Sequence, residues 1–170
     1  MITPDYVRTM ARYNSWQNGS LFGAADGLND KERDRNRGAF FGSIRGTLNH
    51  LYWADRLWMS RFTSAIAEPP LSAIAGSVDI FSDWPSLVEE RKALDGDIID
   101  WAGSLTEDYL DQPFLHYKDT LGHQGKRPLA LCVVHMFNHQ THHRGQVHAM
   151  LTAAGAEPDD TDLTIMPGNE

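Results

Sequence analysis

Apolar residues recur every three to four positions in four long stretches of the chain. This spacing is typical of helices that bury one face against a core. Caps and helix breakers mark where the stretches begin and end. They predict four helices: about residues 4–26, about residues 43–63, a segment from Ser82 or Asp83 to Gly103, and a segment from Pro128 to about Ala154.

The segments between these stretches differ in length and character. Residues 29–38 are polar and charged, which predicts a connection with one short turn of helix. Residues 64–80 contain adjacent prolines and small residues and predict a loop, whereas 112–127 favours a short β-hairpin. We therefore expect an all-α four-helix bundle with long connections, formed as one domain over residues 1–170.

The composition narrows the classes of partner. Hydrophobic residues make up 41% of the 170 residues, as expected of a globular protein with a real core. The formal net charge of −8 disfavours nucleic acid and anionic membrane surfaces, because both attract basic patches. The N-terminal stretch has no apolar run of a signal peptide, and no stretch approaches the length of a membrane span. We expect a cytoplasmic protein that acts on a small molecule.

The single cysteine, Cys132, excludes an internal disulfide and a zinc site built from several thiolates. It lies in an apolar run of the fourth predicted helix. A buried, inert side chain is the expectation for a free cysteine in such a run.

Histidines are concentrated in the fourth predicted helix, which holds five of the eight. His139 and His143 are four residues apart on the core-facing stripe, so their imidazoles lie on one face and can bind one divalent ion. His135 and His139 have the same spacing and form a competing pair. Met136 lies nearer the centre of the stripe than His135, which favours the first pair.

His50 is the only histidine outside the second half of the chain, and it lies on the apolar face of the second predicted helix. A buried neutral imidazole needs a partner for each of its nitrogens. A metal ion provides one partner, so His50 is the candidate third ligand. Three imidazoles leave positions open to a further ligand, which is typical of a reactive site.

Two known metal motifs do not match. The metalloprotease helix carries H-E-x-x-H, but Gln140 takes the place of the glutamate here and cannot act as a base. Ferritin-like di-iron bundles need E-x-x-H pairs, and the sequence contains none. A site for a single ion fits better than either.

Three stretches resemble the DinB-like metalloprotein family. Residues 138–148, N-H-Q-T-H-H-R-G-Q-V-H, resemble its last helix, and the H-R-G-Q element is the most specific part. Residues 12–18 resemble its first helix, and residues 48–58 its second. The resemblance implies a four-helix bundle, a common homodimer, and a zinc, nickel or similar divalent ion at His50, His139 and His143.

The resemblance also suggests chemistry, because some relatives are enzymes that use bacillithiol, mycothiol or glutathione for transfer or isomerisation. Arg144 is a candidate for binding a cofactor carboxylate, although it can equally cap a neighbouring helix or pair across a dimer. Gly145 is expected to allow close helix packing, and Gln146 to support a ligand. Trp53, Trp58 and Tyr117 are expected near the pocket opening.

Three functions are therefore open. A metal-dependent thiol S-transferase or isomerase is the first. A metal-assisted hydrolase is less favoured, because the sequence shows no obvious general base beside the ligands. A stress-associated metal-binding dimer without turnover is the third.

Overall fold

Four long helices form the bundle, and shorter elements fill the connections. The computed structural model describes residues 1–70, 73–119 and 121–168. The helices are α1 (Pro4–Asp26), α2 (Asp30–Asp34), α3 (Ile44–Phe62), α4 (Trp84–Ser104), α5 (Glu107–Leu110) and α6 (Leu129–Ala153). Strands β1 (Leu115–Lys118) and β2 (Gln124–Arg127) precede α6, and two 3₁₀ helices cover Ile74–Asp79 and Leu163–Ile165. None of the described helices is long and apolar enough to cross a bilayer.

Side-chain caps explain where three long helices begin. Thr3, Ser43 and Asp83 each accept a hydrogen bond from a backbone N–H of the first helical turn. Such caps satisfy N–H groups that would otherwise have no partner. The starts of α1, α3 and α4 therefore follow from short polar residues that the sequence displays.

The core lies where α1 packs on α4 and α6, and where α3 packs on α6 and on the first 3₁₀ helix. Its centre consists of side chains that are almost completely withdrawn from solvent, among them Leu21, Ile44, Leu48, Met59, Leu87, Ile98, Met136 and Leu151. Burial of such side chains supplies about 1.5–3 kcal/mol each. The all-α bundle predicted from periodicity is confirmed.

The structure of the connections agrees with the sequence-based prediction less closely than that of the long helices. The predicted hairpin is confirmed: β1 and β2 pair antiparallel, with Tyr117 opposite Gly125. Helix α5 lies between α4 and the hairpin and was not predicted. The segment predicted as a loop over 64–80 contains the 3₁₀ helix Ile74–Asp79, while Leu71 and Ser72 lie outside the described residues.

A buried charge cluster joins helices across the core. Arg91 of α4 donates to Asp55 of α3 and to Asp95 of its own helix, both at 2.7 Å. Asn14 and Asn18 of α1 donate to the same Asp95 carboxylate. All five side chains are buried, so the guanidinium pairs with two carboxylates that burial would otherwise leave without an ion-pair partner.

Replacing Arg91 with Met should lower the free energy of unfolding by about 3–5 kcal/mol, because it leaves two buried carboxylates unpaired. Urea denaturation followed by far-UV circular dichroism measures the change. Lys92→Met is the matched control: it removes a cation from the next, exposed position and should change stability by less than about 0.5 kcal/mol. Equal effects of the two substitutions would contradict a structural role for the Arg91 ion pairs.

Candidate metal centre

Three histidines from two helices converge beside the core. Helix α3 carries His50, and α6 carries His139 and His143 on successive turns. One nitrogen from each ring lies within 4.8 Å of the other two. His50 Nε2 and His139 Nε2 are 3.2 Å apart. Two nitrogens that bind one ion tetrahedrally at 2.0–2.1 Å lie about 3.3 Å apart, so this separation suits a shared ion.

Hydrogen bonds indicate which nitrogen of His50 is free. The Ser77 hydroxyl donates to the Ile74 carbonyl at 2.6 Å, which uses its only proton. Ser77 Oγ, 2.8 Å from His50 Nδ1, must therefore accept, and Nδ1 carries the proton. This leaves the lone pair on His50 Nε2, the atom that faces His139.

The same reasoning applies to His143. Its Nδ1 lies 2.8 Å from Gln146 Oε1, which can only accept, so Nδ1 carries the proton. The Gln146 amide nitrogen lies 3.2 Å from His142 Nε2, which is consistent with this orientation of the amide. His143 Nε2 therefore keeps its lone pair. Gln146 therefore contacts His143, one of the three candidate ligands.

The donor set fits a divalent metal. His139 Nδ1 is buried and has no hydrogen-bond partner within the described part of the chain. Its Nε2 faces a His50 nitrogen that holds a lone pair. An ion bound between the rings would satisfy these facing nitrogens, and imidazole suits zinc, nickel, copper and iron.

Burial keeps the ligands neutral, which is the form that binds metal. Only 4% of His50 and 7% of His143 is exposed. Burial lowers the pKa of His50 to about 3, and repulsion from His143 adds to the effect. Burial, followed by the neighbouring histidines, likewise lowers the pKa of His139 to about 3. At neutral pH a metal ion need not displace protons from these two rings.

An aromatic side chain covers one side of the cluster. The Phe41 ring stacks on His50, with centroids 3.7 Å apart, and lies 5.3 Å from the His143 ring. Gly46 permits this approach, because a Cβ there would lie 2.7 Å from the Phe41 carbonyl oxygen. Neither Phe41 nor Ser77 is predicted from the sequence, since each lies in a segment without helical periodicity.

His135 lies outside the three-histidine cluster. It is exposed, its ring is 5.9 Å from that of His139, and it packs edge-on against Trp58 at 5.1 Å. The structure therefore groups His139 with His143 and His50, and leaves His135, the other member of the competing pair, beside this group. Cys132 is buried, and burial raises the pKa of its thiol, which does not suit a nucleophile.

Arg144 points into the bundle. It is 5% exposed, donates to Asn14 of α1, lies 3.4 Å from the Thr141 hydroxyl, and has its guanidinium 5.4 Å from the Tyr13 ring centroid. Burial lowers its pKa to about 10, so it remains charged at neutral pH. Contact with a cofactor carboxylate stays a prediction for this residue.

Replacing Ser77 with Ala should weaken zinc binding by about 10–100-fold, because His50 loses the partner that fixes its proton on Nδ1. Competition with a chromophoric chelator measures the affinity. Ser60→Ala is the control, since Ser60 donates a comparable bond to a carbonyl of α3 away from the histidines. Unchanged affinity in the Ser77 variant would show that the Ser77 bond does not orient the ligand.

The metal-free protein should lose stability as the pH falls from about 7 to about 5. Unfolded histidines take up protons near pH 6.5, whereas folded His50 and His139 resist protonation until about pH 3. Acid therefore favours the unfolded chain in this window. Urea titrations with a chelator present should show the loss, and His139→Ala should flatten it. A pH-independent stability would refute the lowered pKa values.

Comparisons with known proteins identify the family of this chain. The sequence model of the DinB family matches residues 1–168. Protein DinB of Bacillus subtilis (strain 168) is 25% identical over 172 residues, which cover 95% of this chain and 93% of that protein. No solved structure matches the chain. Because the family match spans nearly the whole sequence, this protein belongs to the DinB family.

Proposed function

We propose that the protein is a metal-dependent thiol S-transferase or isomerase. In this proposal, His50, His139 and His143 hold one divalent ion, zinc or nickel, and the co-substrate is a low-molecular-weight thiol such as bacillithiol, mycothiol or glutathione. The observation that carries the proposal is the convergence of three imidazoles, with one nitrogen of each within 4.8 Å of the other two. The Nδ1 hydrogen bonds of His50 and His143 leave the Nε2 lone pairs of these two rings free.

Three protein ligands leave at least one position for an exchangeable ligand. A divalent ion bound there would lower the pKa of a coordinated thiol and make a thiolate available at neutral pH. The thiol proton would pass to solvent, and the sulfur would form a bond to an electrophilic carbon while the leaving group departs with its electron pair. Isomerisation would end with expulsion of the same thiol.

The surroundings of the histidines suit this chemistry. Phe41 and Trp53 stack on His50 and limit access of water to that ring. Among the described residues, the metal-binding group consists of histidines and contains no carboxylate. A general base beside the ion would favour a hydrolase, and because this group contains none, a thiol that ionises by coordination fits the site better.

The proposal extends to quaternary structure. The family resemblance supports a homodimer, and the net charge of −8 argues against nucleic acid as a partner. Size-exclusion chromatography with light scattering would give a mass near twice 19.1 kDa for a dimer. A mass of one chain would contradict this part of the proposal without affecting the metal site.

His143→Ala should remove the bound metal, because two imidazoles bind a divalent ion far more weakly than three. Elemental analysis of the purified, zinc-reconstituted protein should give about one ion per chain for the wild type and almost none for the variant. His135→Ala is the matched control on the same helix and should keep its ion. Stoichiometric metal in the His143 variant would contradict the ligand assignment.

Thiol transfer is tested with zinc- and nickel-loaded protein, each of the three thiols and monochlorobimane as the electrophile. We expect conjugation above the uncatalysed rate with at least one thiol, lost on chelation and in His143→Ala. Metal-loaded protein that neither binds a thiol nor accelerates conjugation would overturn the enzymatic proposal and leave a metal-binding protein without turnover.

A further inference from the structure

A cavity lies next to the histidine cluster, on the far side of His135. It encloses about 370 Å³, near the lower end of the range for small-molecule pockets. Its lining residues are Trp58, Tyr117, Arg127, Leu131, Cys132 and His135. His135 forms the wall toward the metal centre, since its ring lies 5.9 Å from that of His139.

Two arginines lie at the cavity or beside it, although the whole chain is acidic. Arg127 lines it, and the Arg61 guanidinium stacks on two rings, 4.7 Å from the Trp58 centroid and 4.5 Å from the Tyr117 centroid. Burial raises the pKa of the Cys132 thiol, and the positive charges of Arg61 and Arg127 lower it, so both cations lie close to this side chain. None of the described residues that line the cavity is acidic. The carboxylates of Glu68 and Asp119 attract the Arg61 guanidinium, but neither residue lines the cavity.

The aromatic part of the wall is held in place. Trp58 and Tyr117 lie 5.9 Å apart in an edge-on arrangement, and Arg61 also donates to the Lys118 carbonyl at 3.0 Å. Gly125 faces Tyr117 across the hairpin, and a Cβ at that position would lie 2.7 Å from the tyrosine ring. The hairpin thus holds the Tyr117 ring against Trp58, beside the cations.

We propose that this cavity binds the acceptor substrate, and that the acceptor is a small organic anion. Its carboxylate pairs with Arg127 and Arg61, and its aromatic or aliphatic body packs against Trp58 and Leu131. Apolar walls with a few convergent polar groups are typical of such sites. The acceptor role depends on the thiol chemistry proposed above, whereas binding of the anion depends only on the cavity.

Binding is tested with 3-phenylpropionate and its neutral amide, 3-phenylpropanamide, by ¹H–¹⁵N NMR titration of the zinc-loaded protein. We expect saturable shifts at Tyr117, Leu131 and His135, and weaker binding of the amide. Arg127→Gln should weaken carboxylate binding about fivefold, as expected for a partly exposed ion pair. Lys126→Gln, the neighbouring cation that lies 4.0 Å from the Phe114 ring, should change it less than about twofold.

A second variant tests the cavity without removing a cation. Leu131 is 49% exposed, so Leu131→Glu should fold and should weaken carboxylate binding more than about tenfold by repulsion. Leu121→Glu in the hairpin turn is the control, because Leu121 is 79% exposed and does not line the cavity. Equal affinity in the wild type and the Leu131 variant would overturn the proposal.

Carboxylate binding to the metal-free protein distinguishes the cavity proposal from the proposed thiol chemistry at the metal. A carboxylate held by the arginines should bind with about the same affinity after zinc is removed, whereas one bound to the ion would be lost. Loss of binding with the metal, or shifts centred on His50, would overturn the cavity proposal. Neither result would affect the ligand assignment, which metal stoichiometry tests independently.

Discussion

The ion pairs of Arg91 are the constraint on which the rest of the structure depends. One buried guanidinium pairs with Asp55 of α3 and Asp95 of α4, and Asn14 and Asn18 connect the Asp95 carboxylate to α1. Burying charges is costly unless they are paired, so the helices are stable in the one arrangement that pairs them. Asp55 lies five positions after His50 on α3, and this pairing therefore also determines where His50 lies.

A buried polar contact also holds helix α6, which carries two of the three histidines. Arg144 reaches from α6 to Asn14 of α1, within the field of the buried carboxylates that help keep it charged. The residue before it is His143, so the polar core and the histidine cluster use neighbouring faces of one helix. A rigid polar core next to neutral imidazoles keeps the ligands near one geometry before an ion arrives, and such preorganisation favours binding.

Periodicity and spacing predict much of this site, and their limits have physical reasons. A spacing of four residues on one helix is a local property, so His139 and His143 are visible in the sequence, as is the apolar face around His50. Ser77 and Phe41 reach His50 from segments that follow no regular period, and only the folded chain brings them together. The cavity is still harder to predict from the sequence, because Arg61, Tyr117 and Arg127 come from a helix and two strands that meet through tertiary packing.

The most direct test of the account is X-ray absorption spectroscopy at the zinc edge of the reconstituted protein. A three-histidine centre with an open position should show three imidazole nitrogens at about 2.0–2.1 Å and a light exchangeable ligand. On adding thiol, one sulfur at about 2.3 Å should replace that ligand. A site that already contains sulfur, or that binds zinc through four protein ligands and does not change with thiol, would contradict a three-histidine centre with an open position.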